Sequence, residues 1–311
     1  MHEFQYSLER NLYELFQDLN SGGYQHGGYR KFIVNENKRR EISVAGIRDR
    51  VVHRMIYDYL VKIYDKTFIY DAWSCRKGKG LHGAVERTQG LLKRGMNSGA
   101  CYKYATPTRR RRFSWVWKCD VRKFFDNIDH ELLLRIISRR TKDSITRNLL
   151  KEVIYSYTTV HESRIGIPIG NLTSQIFANI YMNELDRFVK NSLRVKSYVR
   201  YGDDFIIIEN DPVRLEHVRA EVVRFLAVGL KLQVNANSDK IMKVTDGLKF
   251  LGVKIWLSGM TLNKRNQARV YQRLGTANVS SYIGLVRRYG TLKQVNSFNW
   301  AICEKVIKAT D

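Results

Sequence analysis

The sequence predicts an α+β fold, a sheet backed by helices, and three observations carry that prediction. Short apolar runs of strand length are interleaved with stretches of helical period, without the regular strand–helix alternation of a parallel α/β sheet. Two strongly apolar runs flank a tight turn at Gly202-Asp203-Asp204, as in a hairpin. The 311 residues are 44 % hydrophobic and include only three prolines, enough apolar side chain for a real core. That composition excludes wholesale disorder and a Pro-rich linker.

The elements follow in order. Glycines cluster at 22–28, and Gly78-Lys79-Gly80 breaks a second region. Residues 46–63 have helical spacing, with Val51, Val52, Met55 and Tyr59 placed on one buried face. The segment 95–114, with Arg109-Arg110-Arg111-Arg112, has little apolar periodicity and reads as an exposed basic loop. Residues 115–121 read as a short buried strand. Asp129 is a helix N-cap, followed by Leu133, Ile136 and Ile137 on one face. Helices are predicted at about 143–157 and 174–190, the latter through Phe177, Ile180, Tyr181, Leu185 and Phe188. The hairpin spans 197–209, and an amphipathic helix runs over 213–228 through Leu215, Val218, Val222 and Phe225. Strands are expected near 231–235, 240–244 and 248–256, then a helical tail from about 262.

Charge narrows the function. Fifty-four Lys and Arg oppose thirty Asp and Glu, a net of +24. Self-repulsion on that scale opposes folding unless a polyanion offsets it. Nucleic acid is the leading partner and an anionic membrane surface the second, against the bland reading of a basic surface that binds nothing. Residues 247–311 hold eleven of the cations against Glu304 and Asp311, a local net of +9. No run approaches the roughly 18 apolar residues of a membrane span. The N-terminus lacks the apolar stretch of a signal peptide, so a cytoplasmic location is expected. Cys75, Cys101, Cys119 and Cys303 form no CxxC pair and read as buried thiols in a reducing compartment. His53, His82, His130 and His161 lack metal-ligand spacing and read as structural or surface residues.

Two acidic segments carry chemistry. Asp203 and Asp204 lie side by side between apolar strands, where like charges repel and strands select against Asp. A divalent cation is the natural compensation; an ordinary hairpin turn is the bland alternative. In WKCDVRKFFDNIDH, 117–130, Asp120 ends an apolar strand. Together the segments suggest neighbouring strands delivering Asp120, Asp203 and Asp204 to one point. Three carboxylates can hold two Mg²⁺ about 3.5–4 Å apart, the arrangement for in-line phosphoryl transfer.

Asp120 with Phe125 five positions later, followed by Tyr201-Gly202-Asp203-Asp204, resembles motifs A and C of a reverse transcriptase palm. Further segments resemble the family's motifs in its order: 47–56 and 74–85 the two finger motifs, 166–186 motif B, 229–240 motif D, and 248–255 the primer grip. The match covers about residues 40–256, and 281–290 adds a thumb helix. The resemblance implies a right-hand polymerase: fingers over 1–115, a palm over 116–256 with an inserted finger segment near 140–165, and a thumb over 257–311. In motif B, Ile169-Gly170 and Ser174-Gln175 stand where most bacterial relatives carry Gln-Gly and Ser-Pro. The resulting GxxxSQ form resembles the reverse transcriptases of diversity-generating retroelements, which copy a template-repeat RNA with errors at adenines. Retron signatures (NAxxH, VTG) are absent, and the glycine of YGDD is also common in viral RNA polymerases. A group II intron-like or antiphage-defence reverse transcriptase is the enzymatic alternative, and an inactive RNA-binding scaffold the non-enzymatic one.

The resemblance also implies roles. Asp120, Asp203, Asp204 and the Val121 carbonyl would hold two Mg²⁺, with Mn²⁺ as a substitute. Arg76 and Lys79 would meet the incoming triphosphate, and Phe125 would sit beneath the sugar and exclude a 2′-hydroxyl. Ile169, Gly170 and Gln175 would border the nascent base pair, and Ile169 gives up hydrogen bonds a glutamine would make. Lys240 would protonate pyrophosphate. Arg48 and Arg50 fit a template or fold contact better than one to the reacting phosphate. Tyr201, Gly252, Arg287, Arg288 and Arg109 to Arg112 would hold template RNA or the RNA/cDNA heteroduplex. A small basic accessory protein is the expected protein partner, and dNTPs the substrates.

Overall fold

The computed structural model describes residues 2–35, 39–97, 114–160 and 163–310. The Arg109 to Arg112 run, Cys101 and His161 lie outside the described residues. Along the chain come α1 (His2–Tyr6), α2 (Leu8–Ser21), β1 (Tyr29–Asn35), β2 (Arg39–Ala45), α3 (Ile47–Tyr64) and α4 (Leu81–Asn97). Next are β3 (Trp115–Asp120), α5 (His130–Ser138), α6 (Ser144–Tyr155), α7 (Leu172–Arg187), β4 (Ser197–Tyr201), β5 (Asp204–Glu209) and α8 (Pro212–Gly229). Then follow β6 (Lys240–Lys243), β7 (Leu248–Phe250), β8 (Val253–Ile255), β9 (Met260–Leu262), α9 (Lys264–Gln272), α10 (Val279–Tyr289) and α11 (Leu292–Thr310). A four-stranded sheet has the order β4-β5-β3-β6; β1-β2 and β7-β8-β9 form two further sheets. The fold is α+β, as the sequence predicts.

The chain divides into two compact units. The first comprises Met1–Gly80, Cys119–Phe205 and His217–Asp239. Its centre is α7, buried over most of its length from Thr173 to Asp186, with Gln175 exposed and Glu184 half-buried. Helices α3 and α5 pack on it. Asp129 caps α5 by accepting the Leu132 N–H at 2.8 Å, and Asp143 caps α6 through Thr146 at 2.6 Å. The antiparallel hairpin β1–β2 runs from Tyr29 opposite Ala45 to Asn35 opposite Arg39. The Ser43 N–H donates to the Ile169 carbonyl at 2.9 Å. The Asn171 side chain accepts from Ala45 N and donates to Ser43 O. The approach to α7 is thereby laid along β2. Gly170, at φ 119°, is required there, because a Cβ would stand 2.7 Å from Ile42.

The second unit comprises Leu81–Lys118, Ile206–Glu216 and Lys240–Asp311. Here β6 pairs antiparallel with β3, from Trp115 opposite Lys243 to Lys118 opposite Lys240. The β7–β8 turn uses Leu251 and Gly252, both at positive φ, the backbone of a tight two-residue hairpin. Arg288 is ion-paired with Glu86.

Several expectations are corrected. The buried face of α3 is Val52, Ile56 and Leu60 with Asp49 and His53; Met55 and Tyr59 are exposed. Two apolar stripes at i, i+4 spacing compete on this helix, and packing on α7 selects one. The strand expected at 231–235 is reduced to a single bridge, Val234 to Val121, because Lys231 takes φ 54° and turns the chain. The strand expected over 248–256 is folded into the β7–β8 hairpin. Cys75 and Cys303 are exposed, and only Cys119 among the described cysteines is buried. Helices α1, α2 and α4, the β1–β2 hairpin and β9 were not anticipated.

Candidate active site

Asp120 closes β3 and Asp204 opens β5, and these strands are neighbours. Asp203 occupies the two-residue turn between β4 and β5, whose first position is Gly202 at φ 66°, as a hairpin turn of this length requires. Asp120 and Asp204 therefore lie on neighbouring strands, with Asp203 in the turn next to Asp204. The charge gathers round Cys119: burial pushes its thiol well above the ordinary value, and Asp239, Asp120 and Asp204 push the same way.

The side chain of Asp120 is engaged. The Ser238 hydroxyl donates to its Oδ1, the Asn235 amide approaches Oδ2 at 3.4 Å, and the Asp120 N–H returns to Ser238 Oγ at 3.1 Å. Asp239 forms a two-pronged pair with Arg219 at 2.6 and 2.8 Å. Val121 is buried. The donor set is all oxygen and anionic, which suits a hard divalent cation such as Mg²⁺ or Mn²⁺. Among the described residues, no three acidic, His or Cys side chains form a ready-made cage.

Arg76 is held within its own loop. Its Nε donates to Asp65 Oδ1 at 2.7 Å. Its Nη1 donates to the carbonyls of Ile69 and Ala72, and its Nη2 to Asp65 O and Oδ2. A guanidinium has five N–H donors, so this one is consumed as a clamp on the 65–72 turn. Lys79 donates to Tyr70 O at 2.9 Å and lies over the rings of Tyr70 and Trp73 at 3.4 and 4.1 Å. Both side chains are engaged within the finger loop itself.

Phe125 sits in a single 3₁₀ turn after β3 and is half-buried, whereas its neighbour Phe124 is buried. The two rings meet edge to face at 5.4 Å. Ile169 lines a cavity of about 490 Å³ with Lys31, Arg39, Arg40, Lys123 and Asp126. These cations escaped the sequence reading, although the apolar run at 32–34 and the alternating Ile42-Ser43-Val44 on either side of Asn35-Glu36-Asn37 carried a hairpin signal. Gln175 does not line that cavity. It lines a second one, of about 670 Å³, with Arg50, Arg54 and Met55. That space and a neighbouring cavity of about 370 Å³, which Arg30 lines, share Ile47 and Arg50.

Tyr201 ends β4 and is half-buried; burial raises its hydroxyl above the ordinary range. Lys240 opens β6 and is exposed. Gly252 occupies the β7–β8 turn at φ 81°, where a Cβ would collide with the Asn266 amide. Arg287 is exposed beside the paired Arg288.

The family described as "Reverse transcriptase (RNA-dependent DNA polymerase)" matches residues 29–255. Protein YkfC of Escherichia coli is 26 % identical over 286 residues, covering 80 % of this chain and 72 % of that protein. The group II intron-encoded protein LtrA of Lactococcus lactis is 24 % identical over 67 % of this chain, but over only 34 % of its own length. The retron Ec83 reverse transcriptase of Escherichia coli is 29 % identical over 40 % of this chain and 42 % of that protein. Among solved structures, Candida albicans telomerase superposes with a TM-score of 0.58 at 12 % identity, over 92 % of this chain and 55 % of that one. That likeness concerns the fold alone. Among the described residues no helix is long and apolar enough to cross a membrane.

Proposed function

The chain belongs to the reverse transcriptase family, and from that premise we propose that it adds deoxynucleotides to a primer 3′-end, copying RNA. The observation that carries this reading is the sheet order, which sets Asp120 at the end of β3 beside the β4–β5 hairpin bearing Asp203 and Asp204. Those carboxylates and the Val121 carbonyl are the residues that would hold two Mg²⁺, or Mn²⁺ in their stead. Bound there, the ions supply Lewis-acid activation of the primer hydroxyl and charge neutralisation at the leaving pyrophosphate. Asp120 Oδ1, which now accepts from the Ser238 hydroxyl, would be freed for an ion by rotation of that hydroxyl.

The cavity lined by Lys31, Arg39, Arg40 and Lys123 receives the triphosphate, since clustered cations favour a polyanion. Half-buried Phe125 closes the space a 2′-hydroxyl would need. The linked cavities along Arg30, Arg50 and Arg54 receive the template strand, with phosphates on the arginines and bases on Ile47 and Met55. Lys240 donates a proton to pyrophosphate. Tyr201, Gly252, Arg287, Arg288 and the Arg109 to Arg112 run hold the heteroduplex. In this reading, fingers (1–115 with 140–165), palm (116–256) and thumb (257–311) divide the work.

Within the family, the Ile169-Gly170 and Ser174-Gln175 pattern supports the diversity-generating branch, with adenine-directed errors and a small basic accessory protein. The likeness to LtrA favours a group II intron-like enzyme as the second reading. A template repeat and a variable repeat beside the gene separate the two. Primer extension on poly(rA)/oligo(dT) tests the activity itself. Wild type extends, while Asp203→Asn, which removes a charge and keeps the shape, extends orders of magnitude more slowly and still binds RNA. Near-normal extension by that variant overturns the assignment.

A further inference from the structure

Arg200 stands two residues before the Gly202-Asp203 turn and is wholly buried. Its Nε and Nη2 donate to the two oxygens of Asp186, equally buried, at 2.8 and 2.6 Å. Its Nη1 donates to the Gly202 carbonyl at 3.0 Å and to Asn179 Oδ1 at 3.1 Å. Asn179 and Asp186 belong to α7. Asn179 passes the connection on, its amide donating to the Ser74 carbonyl at 2.9 Å. The backbone of Arg200 is tied to the same finger loop: its N–H donates to Asp71 O, and its carbonyl accepts from Trp73 N, both at 2.9 Å. Tyr198 adds its hydroxyl to Asp186 at 2.8 Å.

Arg200 therefore joins three segments: its side chain ties the hairpin that carries Asp203 to helix α7, and its backbone ties that hairpin to the loop at 71–74. A buried ion pair adds little net stability compared with an apolar pair of the same volume. What this one supplies is direction. The forked guanidinium fixes the Gly202 carbonyl, and with it the turn, relative to α7. We propose that Arg200 is a positioning residue for the metal-binding turn, setting Asp203 through the Gly202 carbonyl and the Asp186 and Asn179 anchors. The inference rests on the reading of Asp203 as a metal ligand. Partners of this kind, one step removed from the ligand, alter metal affinity or activity by about 10- to 100-fold when changed.

Two variants separate positioning from folding. Arg200→Lys keeps a charge opposite Asp186 but lacks the fork that reaches Gly202 and Asn179. The double variant Arg200→Met with Asp186→Leu removes both charges in similar volume, leaving no unpaired buried ion. For wild type and both variants, Mn²⁺ affinity is read by electron paramagnetic resonance, stability by thermal unfolding, and kcat and KM by primer extension. The expected result is that the double variant melts near wild type, while in both variants the Mn²⁺ dissociation constant rises about tenfold. Their kcat falls roughly 10- to 100-fold with the dNTP KM little changed, because Arg200 touches no substrate. Wild-type Mn²⁺ affinity and kcat in either folded variant overturn the inference. A wild type that binds Mn²⁺ beside variants that bind it equally well overturns this inference alone. A wild type that binds no Mn²⁺ overturns the metal-site reading together with it.

Discussion

The Ser43 N–H donates to the Ile169 carbonyl at 2.9 Å, and the Asn171 side chain bonds Ala45 N and Ser43 O, so the segment leading into α7 is tied to β2. The backbone at Ile169 is held from this side, while its side chain borders the cavity of Lys31, Arg39 and Arg40. A substitution at 169 therefore changes the chemistry of the cavity wall and leaves the chain path in place.

Ile169→Gln is expected to lower misincorporation, and more so opposite template adenine than opposite other bases. A hydrogen bond regained beside the nascent pair is worth about 0.5–1.5 kcal/mol, roughly a threefold to tenfold change in error. Sequencing cDNA made by both enzymes on one RNA template measures it. Equal adenine error removes Ile169 from the fidelity mechanism.

Phe125 is half-buried where Phe124 carries the core contact. Phe125→Val should raise incorporation of ribonucleotides relative to deoxynucleotides by about tenfold or more, with little loss of stability. Competition between the two nucleotide classes on one primer–template checks this. Unchanged discrimination would leave Phe125 a packing residue.

Arg40 and Arg76 should separate cleanly. Arg40 lines the basic cavity and is exposed; Arg40→Ala is expected to raise the dNTP KM about tenfold at unchanged melting temperature. Arg76, clamped on Asp65 and three carbonyls, should do the reverse. Arg76→Ala is expected to cost about 1–2 kcal/mol of stability, because part-buried acceptors lose a charged donor. Steady-state kinetics beside thermal unfolding decide the matter. A raised KM at wild-type stability in Arg76→Ala would restore its triphosphate role.

His53 confers a pH dependence on stability. Burial pushes its imidazole down to about 4, and His26, whose Nε2 lies 2.9 Å away, adds to the shift; Asp49 opposes it. The unfolded imidazole takes up a proton below its ordinary value of about 6.5. Between those two values the unfolded chain binds more protons, so stability is lost as pH falls through the window. The contribution is fully present above about 6.5, and about 2 kcal/mol of it is lost by pH 5. Urea unfolding of wild type and His53→Gln at pH 7 and pH 5 tests this. The stability advantage of wild type should shrink by that amount, and an unchanged difference would mean His53 titrates normally.

Local chemistry was legible in the residues themselves. The N-cap at Asp129, the turn at Gly202-Asp203 and the apolar runs flanking it are decided by side chains within a few positions of one another. So is the order of motifs from Asp120 to Asp204 that marks the family. Tertiary structure alone decided which stripe of α3 is buried, because Val51-Met55-Tyr59 and Val52-Ile56-Leu60 have equal spacing and only α7 distinguishes them. It likewise turned Arg76 inward, set Ser238 on Asp120, and joined Arg200 to Asp186 and Gly202. A guanidinium or carboxylate has a short reach and several possible partners. Its partner is the group the packed chain brings within about 3 Å, and nothing in the spacing of residues along the sequence specifies that distance.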